Sequence, residues 1–317
     1  MSGRSMNSPH SAKSVAILLC TRNGDRFLPQ QLDSLRAQTH SNWKVWASDD
    51  SSTDSTLGVL GAYAGRWERG QMSIRPGPGK GFVANFLSLA CDVSIEADYF
   101  AFCDQDDVWD ADKLERALTW LATVPAGTPA LYCARSRLID EAGGDVGFSP
   151  LFARPATFRN ALVQSIAGGN TMVFNRAARK LLVAAGADVD VITHDWWLYM
   201  LVTGCGGTAR YDFHASVRYR QHGRNLVGSN ASWGARYSRA RRLMAGSFSA
   251  MNQRNLTALK RVDHLLAPEA ARVVRRFTVA RAAWFLPRVA GVARSGVYHH
   301  TLLGTMGLIV AILFKKL

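Results

Sequence analysis

The chain has 317 residues, 48% of them hydrophobic and nine of them tryptophan, a composition that excludes an intrinsically disordered protein. The net charge of +14 is unevenly placed, because residues 232–317 hold 15 Lys and Arg against two acidic residues, whereas residues 1–231 hold 23 basic and 22 acidic side chains. The basicity therefore belongs to one C-terminal segment, which is where a polyanionic surface would be met.

The N-terminal residues 1–13 are polar and lack the apolar core of a secretory signal, so we predict a disordered segment without such a signal. The five cysteines further along are scattered, and none are paired as CxxC. They are expected to be small buried hydrophobic side chains of a protein in a reducing compartment.

Strands alternate with helices over the first 105 residues. The runs "VAILLC", "WKVWAS", "MSIRP" and "YFAFC" are typical of strands, and the segments between them have helical spacing of apolar residues. This alternation predicts an α/β domain, residues 14–231, with a parallel sheet covered by helices on both faces. The polar stretches "TRNG", "DDSSTD" and "DQDD" follow strands, so we expect them at one rim of the sheet, where such folds bind ligands.

Later segments are less regular. "DKLERALTWLAT" and "HDWWLYMLVTGC" indicate helices, "ALYCARSRLID" a strand, "NTMVFNRAARKLL" a strand entering a helix, and "ARYDFHASVRYRQHG" strands that end in a loop. The arginine-rich faces and apolar stripes of residues 232–317 predict basic amphipathic helices associated with a membrane, one of them spanning 271–286 and stopped by Pro287. The tail 301–317 fits a buried core helix, an interfacial or re-entrant anchor, or a tilted span that begins near Val297.

Three carboxylates in "FCDQDDVW" directly follow the strand "YFAFC". Aspartates are common in turns and at the first position of a helix, which favours a solvated turn with a helix cap. A divalent cation held by oxygen ligands explains the cluster as well. The cluster taken alone leaves both interpretations open.

Five motifs together carry a family resemblance. "VAILLCTRNG", "ASDDSSTDST", "FCDQDDVW", "HDWWLYML" and "YRQHGRNLVG", in this order, resemble the inverting family 2 glycosyltransferases of the GT-A fold. They are similar in particular to bacterial rhamnosyltransferases of O-antigen and capsule assembly. The resemblance covers residues 14–228 and leaves out the basic C-terminal segment. It implies a Rossmann-like, mostly parallel sheet with helices on both faces, followed by a basic helical segment.

The resemblance implies a metal role for the aspartate cluster. Asp106 would bind Mg²⁺ or Mn²⁺ against the diphosphate of a nucleotide-sugar, because the ion neutralises the charge of the leaving group. Asp104 would contact the ribose or metal-bound water, Gln105 would lie beside the donor, and Asp107 would cap the next helix.

The motif "YRQHGRN" would form a mobile loop that closes over the diphosphate. Its Arg220 and Gln221 would contact the donor, and His222 would touch phosphate or the metal.

The remaining donor contacts would come from the first two strand ends and a glycine loop. Asp49 or Asp50 would accept the pyrimidine N3–H, a task that suits an ionised carboxylate, and we favour Asp50. The loop after the first strand would line the base with Thr21, Arg22 and Asn23. The stretch "GPGKG" with Lys80 fits a phosphate cradle or a plain turn equally well.

The motif "HDWW" would supply the catalytic base. Asp195 matches the family's Glu-Asp motif, with His194 in place of the glutamate, and would deprotonate the acceptor hydroxyl. Trp196 and Trp197 would stack on an acceptor sugar, although at least one of them is expected in the core. The acceptor-side cleft would include Gly169 and Asn170, where glycine permits close backbone approach.

The expected reaction is transfer of L-rhamnose from dTDP-L-rhamnose, or of another sugar from a UDP or dTDP donor, to a lipid-linked glycan. The expected location is the cytoplasmic face of the bacterial inner membrane, where the anionic surface would hold a peripheral or tail-anchored protein. A homo-oligomer is compatible with the sequence.

The competing class, a nucleic-acid-binding protein, would interleave aromatics with its arginines, but Val, Ala and Leu stripes dominate the C-terminal segment. A nucleotidyltransferase is disfavoured by the "HDWW" and "YRQH" motifs.

Overall fold

The computed structural model describes residues 13–222 and 247–317. Residues 1–12 of the segment 1–13 that was predicted to be disordered, the domain boundary at 231/232 and the remainder of the "YRQHGRN" loop lie outside the described residues.

Two sheets form the centre of the structure. The larger sheet contains β1 (Val15–Thr21), β2 (Trp43–Asp49), β3 (Met72–Pro76), β4 (Tyr99–Cys103), β6 (Ala130–Ala134), β9 (Val173–Asn175) and β10 (Thr208–Asp212), in the spatial order β10-β6-β9-β4-β1-β2-β3. The smaller sheet contains β5 (Val108–Trp109), β7 (Arg137–Ile139), β8 (Asp145–Phe148) and β11 (Val217–Arg220), in the order β5-β11-β7-β8. In the larger sheet β9 alone runs antiparallel to its neighbours, so the predicted parallel sheet is confirmed as mostly parallel.

Helices cover both faces of the larger sheet. Seven precede residue 223: α1 (Leu28–Arg36), α2 (Thr56–Arg66), α3 (Phe82–Cys91), α4 (Lys113–Leu121), α5 (Phe158–Ala161), α6 (Arg176–Ala185) and α7 (His194–Gly204). One face packs against α1, α2 and α4, and the other packs against α3, α6 and α7. Every residue of β1 is buried, as its uninterrupted apolar run predicts for a strand covered on both faces.

Four further helices follow residue 246, namely α8 (Ser247–Arg261), α9 (Pro268–Ala282), α10 (Phe285–Ser295) and α11 (Leu302–Leu313). Their apolar residues, among them Leu259 and Phe277, belong to the same buried cluster as α7. The basic helices are therefore part of the main core. Short 3₁₀ turns lie at Gly169–Thr171 and Asp263–Leu265.

Two boundary predictions are wrong. "ALYCARSRLID" forms two strands in different sheets, β6 and β7, because the chain leaves the larger sheet at Arg135, whose backbone N–H donates to the carbonyl of Asp212. The helix predicted for 271–286 ends at Ala282, and Pro287 lies in the first turn of α10. A proline is tolerated there because first-turn N–H groups have no partner within the helix.

The tail forms the 12-residue helix α11, about 18 Å long at 1.5 Å per residue. Leu308 and Ala311 are buried, whereas most other apolar side chains of α11 are exposed. Among the helices of residues 13–222 and 247–317, none is long and apolar enough to cross a membrane.

Candidate active site

The polar ends of β1, β2 and β4 meet at one rim, as predicted. Thr21 pairs with Asp49 in the parallel register, and Leu19 pairs with Cys103. The strand-end loops are also joined by side chains, because the Asn23 backbone N–H donates to Ser52 Oγ at 2.8 Å. The sheet thus brings the loops of residues 21–25, 49–54 and 104–107 together.

A cleft of about 1920 Å³ opens at this rim. Single small-molecule sites usually occupy about 300–1000 Å³, so the cleft has room for two substrates. Its walls include Thr21, Asp50, Asp104, Asp106 and Asp195. Carboxylates from two strand ends and one helix therefore face the same space.

The carboxylates perturb one another in this cleft. Burial, together with the negative charges of Asp106 and Asp195, raises the pKa of Asp104 to about 8. A group in this environment favours a positive charge nearby, because a cation offsets both the desolvation and the repulsion. The electrostatics of the cleft therefore suit a cation.

Asp106 has a second potential metal ligand beside it. His222 Nε2 lies 2.7 Å from Asp106 Oδ2, and the imidazole stacks on the Phe27 ring with a centroid distance of 5.2 Å. The side chains of residues 13–222 and 247–317 include no group of three His, Cys, Asp or Glu already placed as a metal cage. Open sites of this kind complete the shell of Mg²⁺ with waters and substrate phosphates, so the donor set fits the ion.

Asp107 does not cap the next helix, which corrects the prediction. It is fully buried, and its carboxylate accepts hydrogen bonds from Asn170 Nδ2 and from the backbone N–H of Arg220. Burial first, and then the charges of Asp106 and Asp104, raise its pKa. Asp107 therefore joins β11 to the loop at 168–171, and Asp112 precedes α4 instead.

Arg220 is not placed to bind phosphate, a second correction. Its guanidinium is buried and donates to the carbonyls of Asp106, Asp140 and Glu141 and to Gln30 Oε1. It also lies 4.7 Å from the Phe27 ring centroid. Arg220 thus fixes the backbone that carries Asp106. Gln221 lies outside the residues that line the cleft, and its backbone N–H donates to Ile139.

The two aspartates after β2 have different surroundings. Asp49 is buried away from the cleft and accepts from Thr21 Oγ1 and from the backbone and hydroxyl of Ser52. Asp50 lines the cleft and accepts from the backbone N–H groups of Gly79 and Gly81. Each oxygen of a carboxylate can accept a second hydrogen bond. Asp50 therefore remains the candidate for base recognition.

The glycine loop is a turn bound to Asp50, so two of its N–H groups are not available to a phosphate. Lys80 in this loop points out to solvent and lies 3.8 Å from Asp188. It does not line the cleft, so the structure gives no support to the predicted donor contact.

The predicted base-lining residues do face the cleft. Thr21, Arg22, Asn23 and Gln105 all contribute to its wall. Gln105 accepts from the backbone N–H of Arg22 at 2.8 Å and donates to its carbonyl at 3.0 Å. A Cβ on Gly24 would lie 2.1 Å from Gln105 Oε1, so a larger residue there would displace the Gln105 side chain from this contact.

Asp195 is held in a defined orientation at the N-terminus of α7. Its Oδ1 accepts from the backbone N–H of Trp196 at 2.6 Å, and its Oδ2 accepts from the backbone N–H of Gly169 at 2.9 Å. The positive end of the helix dipole also favours a carboxylate there. Gly169 and Asn170 line the cleft beside Asp195.

The two tryptophans of "HDWW" are core residues. Trp197 is 0% exposed and Trp196 is 5% exposed, with its indole N–H bonded to the carbonyl of Ala161. Trp197 is enclosed in the core, as expected for at least one of the two. Trp196 borders the cleft but is nearly fully buried, so the structure does not support stacking on a sugar by either ring. Burial of both faces of α7 explains the difference.

His194 is buried beneath Asp195. Its ring stacks on Phe86 at 3.9 Å, and it contacts Phe102 edge-on at 4.6 Å. Burial lowers its pKa to about 4, although Asp195 acts in the opposite direction, so the imidazole is neutral near pH 7. The His194 ring therefore serves as packing beneath the site.

A family comparison identifies the chain. A sequence model of the family described as "Glycosyl transferase family 2" matches residues 16–180, more than half of the chain. The chain belongs to glycosyl transferase family 2. A relative of this transferase in Shigella flexneri, described as "dTDP-rhamnosyl transferase RfbG", is 29% identical over 235 residues, which cover 70% of this chain and 77% of that protein.

Solved structures share the fold of the transferase. A mannosyltransferase from Pyrobaculum calidifontis, solved with GDP-Man and Mn²⁺, superposes with a TM-score of 0.51 at 18% identity, over 98% of this chain and 88% of that chain. GalNAc-T7, solved with UDP, GalNAc and Mn²⁺, superposes with a TM-score of 0.53 at 9% identity, over 95% of this chain and 57% of that chain. These likenesses confirm the predicted GT-A fold and extend to no substrate.

The transferase has a second half to its cleft that motif reasoning missed. Beyond Asp195, the wall includes Phe152 and Tyr211, together with His299, Thr301 and Leu303 from the segment around the start of α11. None of the five motifs includes Phe152 or Tyr211, and His299, Thr301 and Leu303 belong to the C-terminal segment that the resemblance does not cover. The sequence offered one signal for the C-terminal part of this wall, namely the apolar run of the tail that begins at Leu302.

Proposed function

We propose that the transferase is a metal-dependent, inverting enzyme that moves L-rhamnose from dTDP-L-rhamnose. The observation that carries this proposal is the presence of Asp50, Asp104, Asp106 and Asp195 in one cleft. The donor assignment is supported by the Shigella flexneri relative, whose description names a dTDP-rhamnosyl transferase. Asp50 would accept the N3–H of the thymine, and Asp104 would contact the ribose.

Asp195 is the proposed base. The backbone N–H groups of Gly169 and Trp196 each bind one carboxylate oxygen of Asp195, which lines the cleft. Each oxygen can still accept a second hydrogen bond, from the acceptor hydroxyl. Asp195 takes the proton of the acceptor hydroxyl while that oxygen attacks the anomeric carbon and the bond to the nucleoside diphosphate breaks. A single displacement inverts the anomeric configuration. General-base catalysis typically contributes about 10²–10⁴-fold to such a step.

Asp106, His222 and Asp104 would hold Mg²⁺ or Mn²⁺. The bound ion would supply charge neutralisation for the departing diphosphate. Arg220 keeps Asp106 in position by binding its backbone carbonyl at 3.0 Å.

We further propose that the acceptor is a lipid-linked glycan and that the protein works at the anionic cytoplasmic face of a bacterial inner membrane. The C-terminal residues 247–317 support this, since they contain eleven Lys and Arg and two acidic residues. Basic residues near an anionic leaflet contribute about 1 kcal/mol each to binding.

The proposed reaction is tested with a panel of nucleotide-sugars and water as the acceptor. We expect release of dTDP from dTDP-L-rhamnose to exceed release of UDP or GDP from other donors. The Asp195→Asn variant should bind dTDP with unchanged affinity and react about 10²–10⁴-fold more slowly. Absence of nucleoside diphosphate release from every donor, or wild-type rates in Asp195→Asn, would refute the assignment.

A further inference from the structure

The acceptor half of the cleft ends at the start of α11. Thr301 and Leu303 contribute to its wall, and Leu303 is also 57% exposed to solvent. One side chain thus belongs both to the cleft and to the outer surface. Whatever enters this end of the cleft passes the exposed face of α11.

That face is an apolar strip, which we define as Leu302, Leu303, Met306, Ile309 and Leu313. Positions 302, 306, 309 and 313 recur at helical spacing, so they share one side of α11. Their exposed fractions are 79%, 55%, 50% and 40%. Clusters of exposed apolar side chains of this size mark interaction surfaces, whereas single ones do not.

The strip continues at its far end onto α10. Arg288 of α10 donates from Nε to the carbonyl of Ile312 and from Nη2 to that of Leu313. These contacts place the exposed Trp284, Phe285 and Leu286 beside the C-terminal end of α11. The apolar surface therefore runs from the mouth of the cleft along the whole of α11.

Both ends of α11 are fixed, so the exposure of the strip is built into the fold. Thr301 Oγ1 accepts from the backbone N–H of Gly304 at 3.0 Å, and Arg288 binds the last carbonyls. Leu308 and Ala311, on the opposite side, are packed in the core. The helix has therefore one buried apolar side and one exposed apolar side.

The C-terminal helices around and beyond the strip carry exposed positive charge. Lys315 follows it directly, and exposed Arg294 lies in the last turn of α10. On α9, Arg272, Arg275 and Arg276 are exposed on the outer side. The two acidic residues of the segment 247–317, Asp263 and Glu269, lie near the start of α9, and Glu269 pairs with Arg159. An exposed apolar strip on a helical segment rich in cations fits the surface of an anionic lipid layer.

We propose that the apolar strip lies in the surface layer of an anionic lipid bilayer, so that an amphiphilic acceptor keeps its hydrocarbon in that layer and extends its glycan past Leu303 to Asp195. This inference rests on the proposed function and specifies how the acceptor reaches the base. It names a contact surface for the lipid and an entry route for the glycan.

The first test measures binding of the full-length protein to vesicles of phosphatidylcholine and phosphatidylglycerol (3:1). The strip variant is Leu302→Gln, Met306→Gln, Ile309→Gln. The matched control is Leu57→Gln, Val93→Gln, Val146→Gln, whose side chains are 51%, 72% and 55% exposed on other elements. In high salt, where the electrostatic contribution is screened, we expect the strip variant to bind about tenfold more weakly or worse and the control to bind like wild type.

The second test asks whether the mouth of the cleft, at Leu303, lies at the bilayer. Leu303→Trp in a Trp284→Phe background should show extra fluorescence quenching by brominated lipid, compared with the Trp284→Phe parent. Equal quenching in the two proteins would overturn the entry route.

Two further readouts separate the alternatives. Release of dTDP with water as the acceptor should be equal in wild type, strip variant and control, which would show that the donor site is intact in all three. If the wild type releases no dTDP, the proposed function is refuted, whereas the vesicle result stands. If the strip variant binds vesicles like wild type, the bilayer proposal is wrong. A change from dimer to monomer in sedimentation velocity, with vesicle binding unchanged, would identify the strip as a contact between two copies.

Discussion

Replacing Gly169 by alanine tests how closely the loop at 168–171 must approach the catalytic aspartate. The backbone N–H of Gly169 donates to Asp195 Oδ2 at 2.9 Å, and its Cα lies against the imidazole of His194. A Cβ at this position would lie 2.6 Å from His194 Nε2 and 3.4 Å from the Cβ of Asp195. Because the imidazole is stacked on Phe86 at 3.9 Å and held edge-on by Phe102, it cannot move aside.

The size of the effect follows from the overlap. Ordinary contact begins at 3.4 Å, so the loop must withdraw by roughly 0.8 Å, which lengthens the hydrogen bond to Asp195. Displacements near 1 Å in an active site cost about 10²-fold in rate. Overpacking of this kind costs about 1–3 kcal/mol in the free energy of unfolding. We therefore expect a folded protein that is about 10²-fold slower.

The assay is the initial rate of nucleoside diphosphate release, with binding of dTDP measured separately. Gly169→Ala should reduce the rate and leave the affinity for dTDP unchanged, since the thymine of the donor would bind at Asp50 and not at Gly169. The double variant Gly169→Ala, His194→Ala removes the obstructing ring and should recover much of the rate. Gly58→Ala, whose Cβ meets nothing within 4 Å, is the matched control. A Gly169→Ala rate equal to wild type, or no recovery in the double variant, would refute the reasoning.

Three other predictions follow from the site. Asp106→Ala, or excess chelator on the wild type, should abolish turnover because the diphosphate loses its counter-ion; full activity in chelator would remove the metal from the mechanism. Arg220→Met should cost about 1–3 kcal/mol in urea unfolding because four partly buried acceptors lose their donor, whereas Arg218→Met, which removes an exposed ion pair to Asp110, should cost at most about 1 kcal/mol. His194 has a pKa of about 4 in the fold against about 6.5 unfolded, so protonation of the unfolded chain should remove up to about 3 kcal/mol of stability as the pH falls from 6.5 to 4. His194→Phe should lose less over that range, and equal losses in both proteins would show that His194 does not titrate this way.

Local sequence patterns determined the order of the strands and helices and the position of the rim. The apolar run of β4 and the acids that follow it placed Asp104 and Asp106 at a carboxyl end, because burial on both faces selects a continuous apolar run. The helix start at "HDWW" likewise placed Asp195 at the positive end of α7. These features depend on residues near one another in the chain, so they could be predicted.

The tertiary structure alone decided which polar groups are already satisfied. Arg220 looked available in its motif, but its partners Gln30, Asp106 and Asp140 lie 80 to 190 residues away in the chain. Asp107 bonds to Asn170 across 63 residues, so it could not be recognised as a link between loops. The acceptor end of the cleft depends on the packing of α11 against the main core, which brings Leu303 to the cleft of Asp195, a residue 108 positions earlier in the chain. Hydrogen-bond saturation and burial depend on such distant neighbours, and a single sequence does not specify which of its polar residues will meet.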